Sequence, residues 1–190
     1  MENVVELIAK SHGQAEADAY RLFTRSPKHA EVLKKAAYDS MLLFPKLAGS
    51  CVMMSVVFLT RLKHLHDGPY HVVAGSLKID GSPVFGMDAD NYDWSAAFTG
   101  ENLSWDGHCW IVCGDLIADV SLLRTANSPK SPPALARKAR HSFGTSTGMI
   151  AFTASQAAGI GMEYRAYHVL TNPEIDGLLL GCQALIPAAE

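Results

Sequence analysis

A cysteine, a histidine and an aspartate of this sequence are spaced so that they could act together as a catalytic triad. Cys51 follows Gly49-Ser50 and opens a long apolar run. Ser50 is a typical helix N-cap, so Cys51 is predicted to lie in the first turn of a helix. Unpaired N–H groups and the helix dipole favour a thiolate there and could hold an oxyanion. A buried structural cysteine is the alternative interpretation.

The histidine and the aspartate lie on a predicted β-hairpin whose strands flank a Gly114-Asp115 turn. If the turn is centred on Cys113-Gly114, His108 lies directly opposite Asp119. If it is centred on Gly114-Asp115, the two residues are diagonal neighbours on one face, still within reach of a hydrogen bond. Both registers predict that Asp119 orients His108 and that His108 takes the thiol proton. Alternatively, His108 is a structural strand histidine and Asp119 a polar edge residue.

Side-chain alternation along the same strand determines which cysteine can contact the His108 imidazole. His108 and Trp110 are predicted on one face, and Cys109 and Cys113 on the other. The two strand cysteines are therefore excluded as partners of His108, which leaves Cys51.

The elements that must position these residues change in character along the chain. Residues 2–43 show helical periodicity, with a helix that begins near Pro27 after the N-cap Ser26. Residues 51–66 form a second helical segment, apolar on nearly every side and therefore predicted to be buried, with a β-strand as the alternative.

The second half of the chain is predicted to form an antiparallel sheet closed by a helix. Residues 127–136 are proline-rich and are predicted to be a surface connector, and a last helix is predicted from Asn172, its cap. The predicted strands cover 70–79, 84–85, 108–113, 116–121, 149–152 and 162–170. This order predicts an α+β fold, with N-terminal helices and a buried helix packed on an antiparallel sheet.

Composition sets limits on the class of protein. The 190 residues, 48% hydrophobic, predict a single domain over 1–190. Sixteen basic and nineteen acidic residues without a basic stripe predict no nucleic-acid partner. The apolar stretch 41–59 is interrupted by Pro45, Lys46 and Gly49, so no membrane span is expected. Four cysteines without a CxxC motif and an N-terminus without a secretory signal predict a soluble cytoplasmic protein.

Other motifs predict no cofactor or metal. The cluster His64, His66, Asp67 and His71 could suggest a metal site, but it also fits a helix C-terminus that favours positive charge. The acidic segment 88–93 lacks the glycine and glutamate of a calcium loop. Gly159-Ile-Gly161 lacks the third glycine of a dinucleotide-binding motif.

The order of these motifs resembles the papain-like cysteine hydrolase superfamily. The resemblance covers roughly residues 40–122. It consists of the cysteine that opens a buried helix, the strand Val72-Val73-Ala74-Gly75, the sequence Gly-His-Cys-Trp, and the hairpin into Ile-Ala-Asp-Val-Ser. The transglutaminase-like branch, which includes arylamine N-acetyltransferases and small uncharacterised bacterial members, is the most similar part. The resemblance implies that Cys51 is the nucleophile, His108 the base and Asp119 the orienting acid.

One departure from that family concerns the oxyanion hole. Papain-type proteases carry a glutamine a few residues before the cysteine, whereas residues 44–50 contain none. This favours hydrolysis or acyl transfer on a small-molecule or peptide amide, ester or thioester over a typical protease. The alternatives are a non-catalytic binding module of the same fold and a metalloprotein that uses the region 64–71.

Overall fold

A computed structural model describes residues 3–44, 50–86, 92–94, 97–98 and 106–183. These residues form an α+β fold with eight helices and a six-stranded antiparallel sheet. The helices are α1 Val4–His12, α2 Gln14–Leu22, α3 Pro27–Leu43, α4 Cys51–Leu65, α5 Leu122–Ala126, α6 Pro133–Phe143, α7 Ala154–Gly159 and α8 Asn172–Gln183. The strands are β1 His71–Ile79, β2 Ser82–Phe85, β3 His108–Cys113, β4 Leu116–Asp119, β5 Ile150–Thr153 and β6 Met162–Val169.

The sheet has the order β2-β1-β3-β4-β5, and β6 also pairs with β1. The Phe152 ring on β5 and the Tyr164 ring on β6 have centroids 5.7 Å apart. Because β5 and β6 lie at opposite ends of the path through β1, β3 and β4, this distance indicates that the sheet curves. One face packs against α4 through Ala74 and Cys109, and the other buries Trp110 in a second apolar cluster. Strand β1 is buried on both faces because it lies between these two clusters.

Helix α4 is the buried helix that the apolar run predicts, and the strand alternative is wrong. It contacts α3, α8 and the sheet, so apolar side chains are accommodated around most of its circumference. Its fully or almost fully buried residues include Val52, Met54, Val56, Phe58, Leu59 and Leu62. Burial of this many apolar side chains outweighs the weak helix propensity of its β-branched residues.

Helix α3 starts as its capping pattern predicts, whereas the cap of the last helix differs from the prediction. Ser26 caps α3 as expected, and its backbone N–H donates to Nδ1 of His29 at 2.6 Å. The last helix is capped by Thr171 and not by Asn172. The N–H of Thr171 donates to Glu174 at 2.6 Å, the reciprocal contact of a capping box.

The proline-rich connector was predicted too long. Helix α6 begins at Pro133, where proline is favoured in a first turn, and it buries Leu135 and Ala139 one turn apart. The short helices α5 and α7 are not predicted from the sequence. Among the described residues, none of the helices has the length and apolar character needed to cross a membrane.

Candidate active site

The β3–β4 hairpin adopts the register centred on the Gly114-Asp115 turn. Val112 pairs with Ile117 and Cys113 with Leu116, and Gly114 has a φ of 58°, in the left-handed region that favours glycine. In this register His108 and Asp119 are diagonal neighbours. Their side chains span this diagonal separation, since Nε2 of His108 lies 2.5 Å from Oδ2 of Asp119.

Asp119 is a buried carboxylate surrounded by donors. It ends β4 with 0% of its surface exposed. Its Oδ1 accepts the backbone N–H of Ser121 at 3.0 Å and that of Leu122 at 2.9 Å, and also the Ser121 hydroxyl. Burial alone would raise the pKa of Asp119, but the charge and hydrogen bond of His108 and these N–H groups lower it. Asp119 is therefore negatively charged at neutral pH.

His108 is held between this carboxylate and the thiol of Cys51. Burial alone would lower its pKa, but the Asp119 charge and hydrogen bond, with a smaller contribution from Cys51, raise the pKa of His108 to about 10. Phe85 stacks on the imidazole with ring centroids 5.0 Å apart and an interplanar angle of 16°. These contacts fix the ring plane and favour an imidazolium.

Cys51 is the first residue of α4, and its side chain lies near enough to the His108 ring to contribute to the raised pKa of that imidazole. Nε2 faces Asp119, so Nδ1 is the ring nitrogen left for the thiol. Cys51 is 9% exposed, enough to distinguish it from the fully enclosed Cys109. Ser50 occupies the N-cap position as predicted, although its side chain makes no capping hydrogen bond to α4. The structure thus brings all three predicted site residues together.

The remaining cysteines lie in environments that suppress ionisation. Burial raises the pKa of Cys109 well above its usual range, that of Cys113 to about 12 and that of Cys182 to about 11. Cys109 and Cys113 pack on the α4 face of the sheet, whereas Trp110 packs on the other, as side-chain alternation predicts. These three thiols are therefore poor nucleophiles at neutral pH.

Ser55 fixes the start of α4 against the start of β3. It lies one turn after Cys51, and its hydroxyl donates to the carbonyl oxygen of Cys109 at 3.1 Å. Cys109 directly follows His108, so this bond holds the thiol beside the imidazole. Nothing in the sequence pattern distinguishes Ser55 from an ordinary small core residue.

Replacing Ser55 with alanine is expected to destabilise the protein by about 1 kcal/mol, the usual contribution of a hydrogen bond. It should also slow alkylation of Cys51 by iodoacetamide, because the thiol is held less firmly beside His108. Thr60→Ala is the matched control, since the Thr60 hydroxyl bonds a carbonyl of its own helix. Equal alkylation rates in both variants would show that Ser55 does not position the thiol.

Tyr164 and Phe85 are site residues that sequence reasoning missed. The Tyr164 hydroxyl donates to Oδ2 of Asp119 at 3.1 Å. Both side chains reach the triad from strands distant in sequence from the hairpin. The alternation of polar and apolar residues predicts β6, but it does not predict which residue crosses to Asp119.

Two of the three histidines considered as metal ligands have other contacts. His66 bonds Tyr70 and packs on His29, while His71 packs on His12 near Glu16. Among the described residues, no three His, Cys, Asp or Glu side chains are grouped to hold a metal ion. Residues 45–49, which belong to the segment without a glutamine, and residues 88–91 of the acidic segment lie outside the described residues.

Comparison with known proteins identifies no relative of this chain. No protein-family model, curated protein or solved structure matches the chain. Function is therefore inferred from the geometry of the three side chains.

Proposed function

We propose that this protein is a thiol-dependent hydrolase or acyltransferase that acts through an acyl-Cys51 intermediate on a small-molecule or peptide amide, ester or thioester. The observation that supports this most strongly is the buried hydrogen bond between His108 and Asp119, with the Cys51 thiol near the same imidazole. A thiol at a helix start, a base within reach and a carboxylate that orients the base are the components of nucleophilic catalysis.

The chemistry follows from the order of these contacts. The Cys51 thiolate attacks the carbonyl carbon, and the first N–H groups of α4 face the developing oxyanion. The tetrahedral intermediate then collapses, and the imidazolium of His108 gives its proton to the leaving amine, alkoxide or thiolate. In the second half, His108 takes a proton from water or from an acceptor that attacks the thioester. This releases acid or transferred product and restores the thiol.

We further propose that the fold is of the papain-like, transglutaminase-like type. The order helix-start cysteine, strand histidine, strand aspartate supports this, together with the packing of α4 on an antiparallel sheet. A reducing, cytoplasmic location is proposed with it, because the four cysteines are unpaired and buried.

Selective alkylation tests the nucleophile. Iodoacetamide at neutral pH is expected to add one carbamidomethyl group to the native protein, at Cys51, because the other three thiols are less exposed and burial raises the pKa of each. Cys51→Ala should abolish this labelling, whereas the control Cys182→Ala should keep it. Labelling of another cysteine while Cys51 stays unmodified would contradict the proposal.

A non-catalytic binding module is the second candidate, favoured by the small exposed fraction of Cys51. In that case Cys51 is a packed thiol that reacts only after denaturation. The two candidates therefore predict opposite results in the native alkylation experiment.

A further inference from the structure

A fourth side chain contacts the carboxylate of the triad. Tyr164 is 8% exposed on β6, and its hydroxyl donates to Oδ2 of Asp119, the same oxygen that faces Nε2 of His108. Its ring packs against Trp110 with centroids 5.0 Å apart and against Phe152 on β5. The phenol is thus held on Asp119 by packing against two aromatic rings.

Two donors on one carboxylate oxygen compete for its negative charge. Burial and the neighbouring Asp119 raise the pKa of Tyr164 well above its usual range, so the phenol stays protonated and remains a donor. A donor on Oδ2 spreads the carboxylate charge and weakens its attraction for the imidazolium. Without that donor, Oδ2 would interact more strongly with His108.

We propose that Tyr164 is a positioning residue that lowers the basicity of His108 through Asp119, so that the imidazolium can release its proton. This inference rests on the proposed function, since it assigns Tyr164 a role in the same acyl transfer. A histidine that holds its proton too tightly would be a weak acid toward the leaving group and a poor base toward water.

The pKa of His108 depends on the side chains that surround it. Asp119 faces it from β4, Cys51 from α4, Phe85 from β2 and Tyr164 from β6. Acylation of Cys51 removes its ionisable thiol, and Phe85 does not titrate. The acyl form therefore isolates the influence of Asp119 and Tyr164 on His108.

The pH profile of deacylation is the measurement. Cys51 is acetylated with p-nitrophenyl acetate, and loss of the acetyl group is followed by intact mass across the pH range. Deacylation needs neutral His108, so its rate rises with pH through the His108 titration. Tyr164→Phe, which keeps the ring contacts, is expected to move the midpoint up by about one pH unit. Deacylation below the midpoint would then be about tenfold slower.

Tyr70→Phe is the matched control, because Tyr70 is also buried but bonds His66 away from the triad. It should leave the midpoint unchanged. An unchanged or lower midpoint in Tyr164→Phe, or an equal loss of rate at every pH, would overturn the role of Tyr164.

A second readout separates this proposal from the proposed function. The ring protons of His108 are titrated by NMR in Cys51→Ala and in the double variant Cys51→Ala/Tyr164→Phe. The midpoint is expected to rise by about one pH unit in the double variant, whether or not the wild type forms an acyl-enzyme. Equal midpoints would overturn the inference, while absence of acetylation at Cys51 would overturn the proposed function alone.

Discussion

Replacing His108 with glutamine is expected to slow acylation of Cys51 by about a thousandfold, the usual effect of losing a general acid–base group. Glutamine can still donate to Asp119, so the buried carboxylate keeps a partner. It cannot exchange a proton with the thiol or the leaving group. The measurement is the rate at which p-nitrophenyl acetate or an anilide substrate acetylates the protein, followed by intact mass.

His141→Gln is the control for this substitution. His141 is an exposed histidine on α6, so its loss changes the histidine content without touching the triad. Acylation by this variant should equal that of the wild type. A wild-type rate in His108→Gln would show that Cys51 reacts without the imidazole, and the proposed mechanism would be wrong.

Replacing Gly75 with alanine is expected to destabilise the fold by about 3 kcal/mol or more, at the upper end of the cost of overpacking. Gly75 pairs with His108 across β1 and β3, at an irregularity in the pairing of β1 with β6. An added Cβ would overlap the backbone carbonyl oxygen of Arg165 and lie 2.6 Å from the Trp110 ring. Backbone cannot move aside as a flexible side chain can, so the sheet must separate beside the triad.

Urea denaturation measures this effect, with Gly177→Ala as the matched control. Gly177 lies in α8, where an added Cβ meets no atom within 4 Å. Alanine there should stabilise the helix by about 0.5–1 kcal/mol. If Gly75→Ala were as stable as the wild type, β1, β3 and β6 could not pack as closely beside the triad as the structure shows.

The proximity of His108 and Asp119 was predictable because it depends on the local geometry of one hairpin. A two-residue turn and side-chain alternation bring His108 and Asp119 to one face in either register, and the structure selects the diagonal one. The apolar run after Cys51 predicts α4 for a similar reason, since a helix apolar on all sides must be buried. The sequence could not select the register, because both positions of the turn contain Gly114.

The residues that the sequence did not reveal act over long distances in the chain. Tyr164 reaches Asp119 from β6, which pairs with β1 and is not adjacent to β4 in the sheet. Ser55 matters because a backbone carbonyl of β3 faces it, and backbone partners leave no trace in the pattern of residue types. Helix α6 was hidden by its prolines, which indicate a loop as readily as a first helical turn.

Formation of a thioester at Cys51 tests the proposed chemistry most directly. Native protein is mixed with p-nitrophenyl acetate, and the acetylated residue is identified by peptide mass and by its sensitivity to hydroxylamine. We predict one hydroxylamine-labile acetyl group on Cys51 that water removes over time, and none in Cys51→Ala. A folded protein that carries no acetyl group on Cys51, or the same labile adduct in Cys51→Ala, would contradict the account.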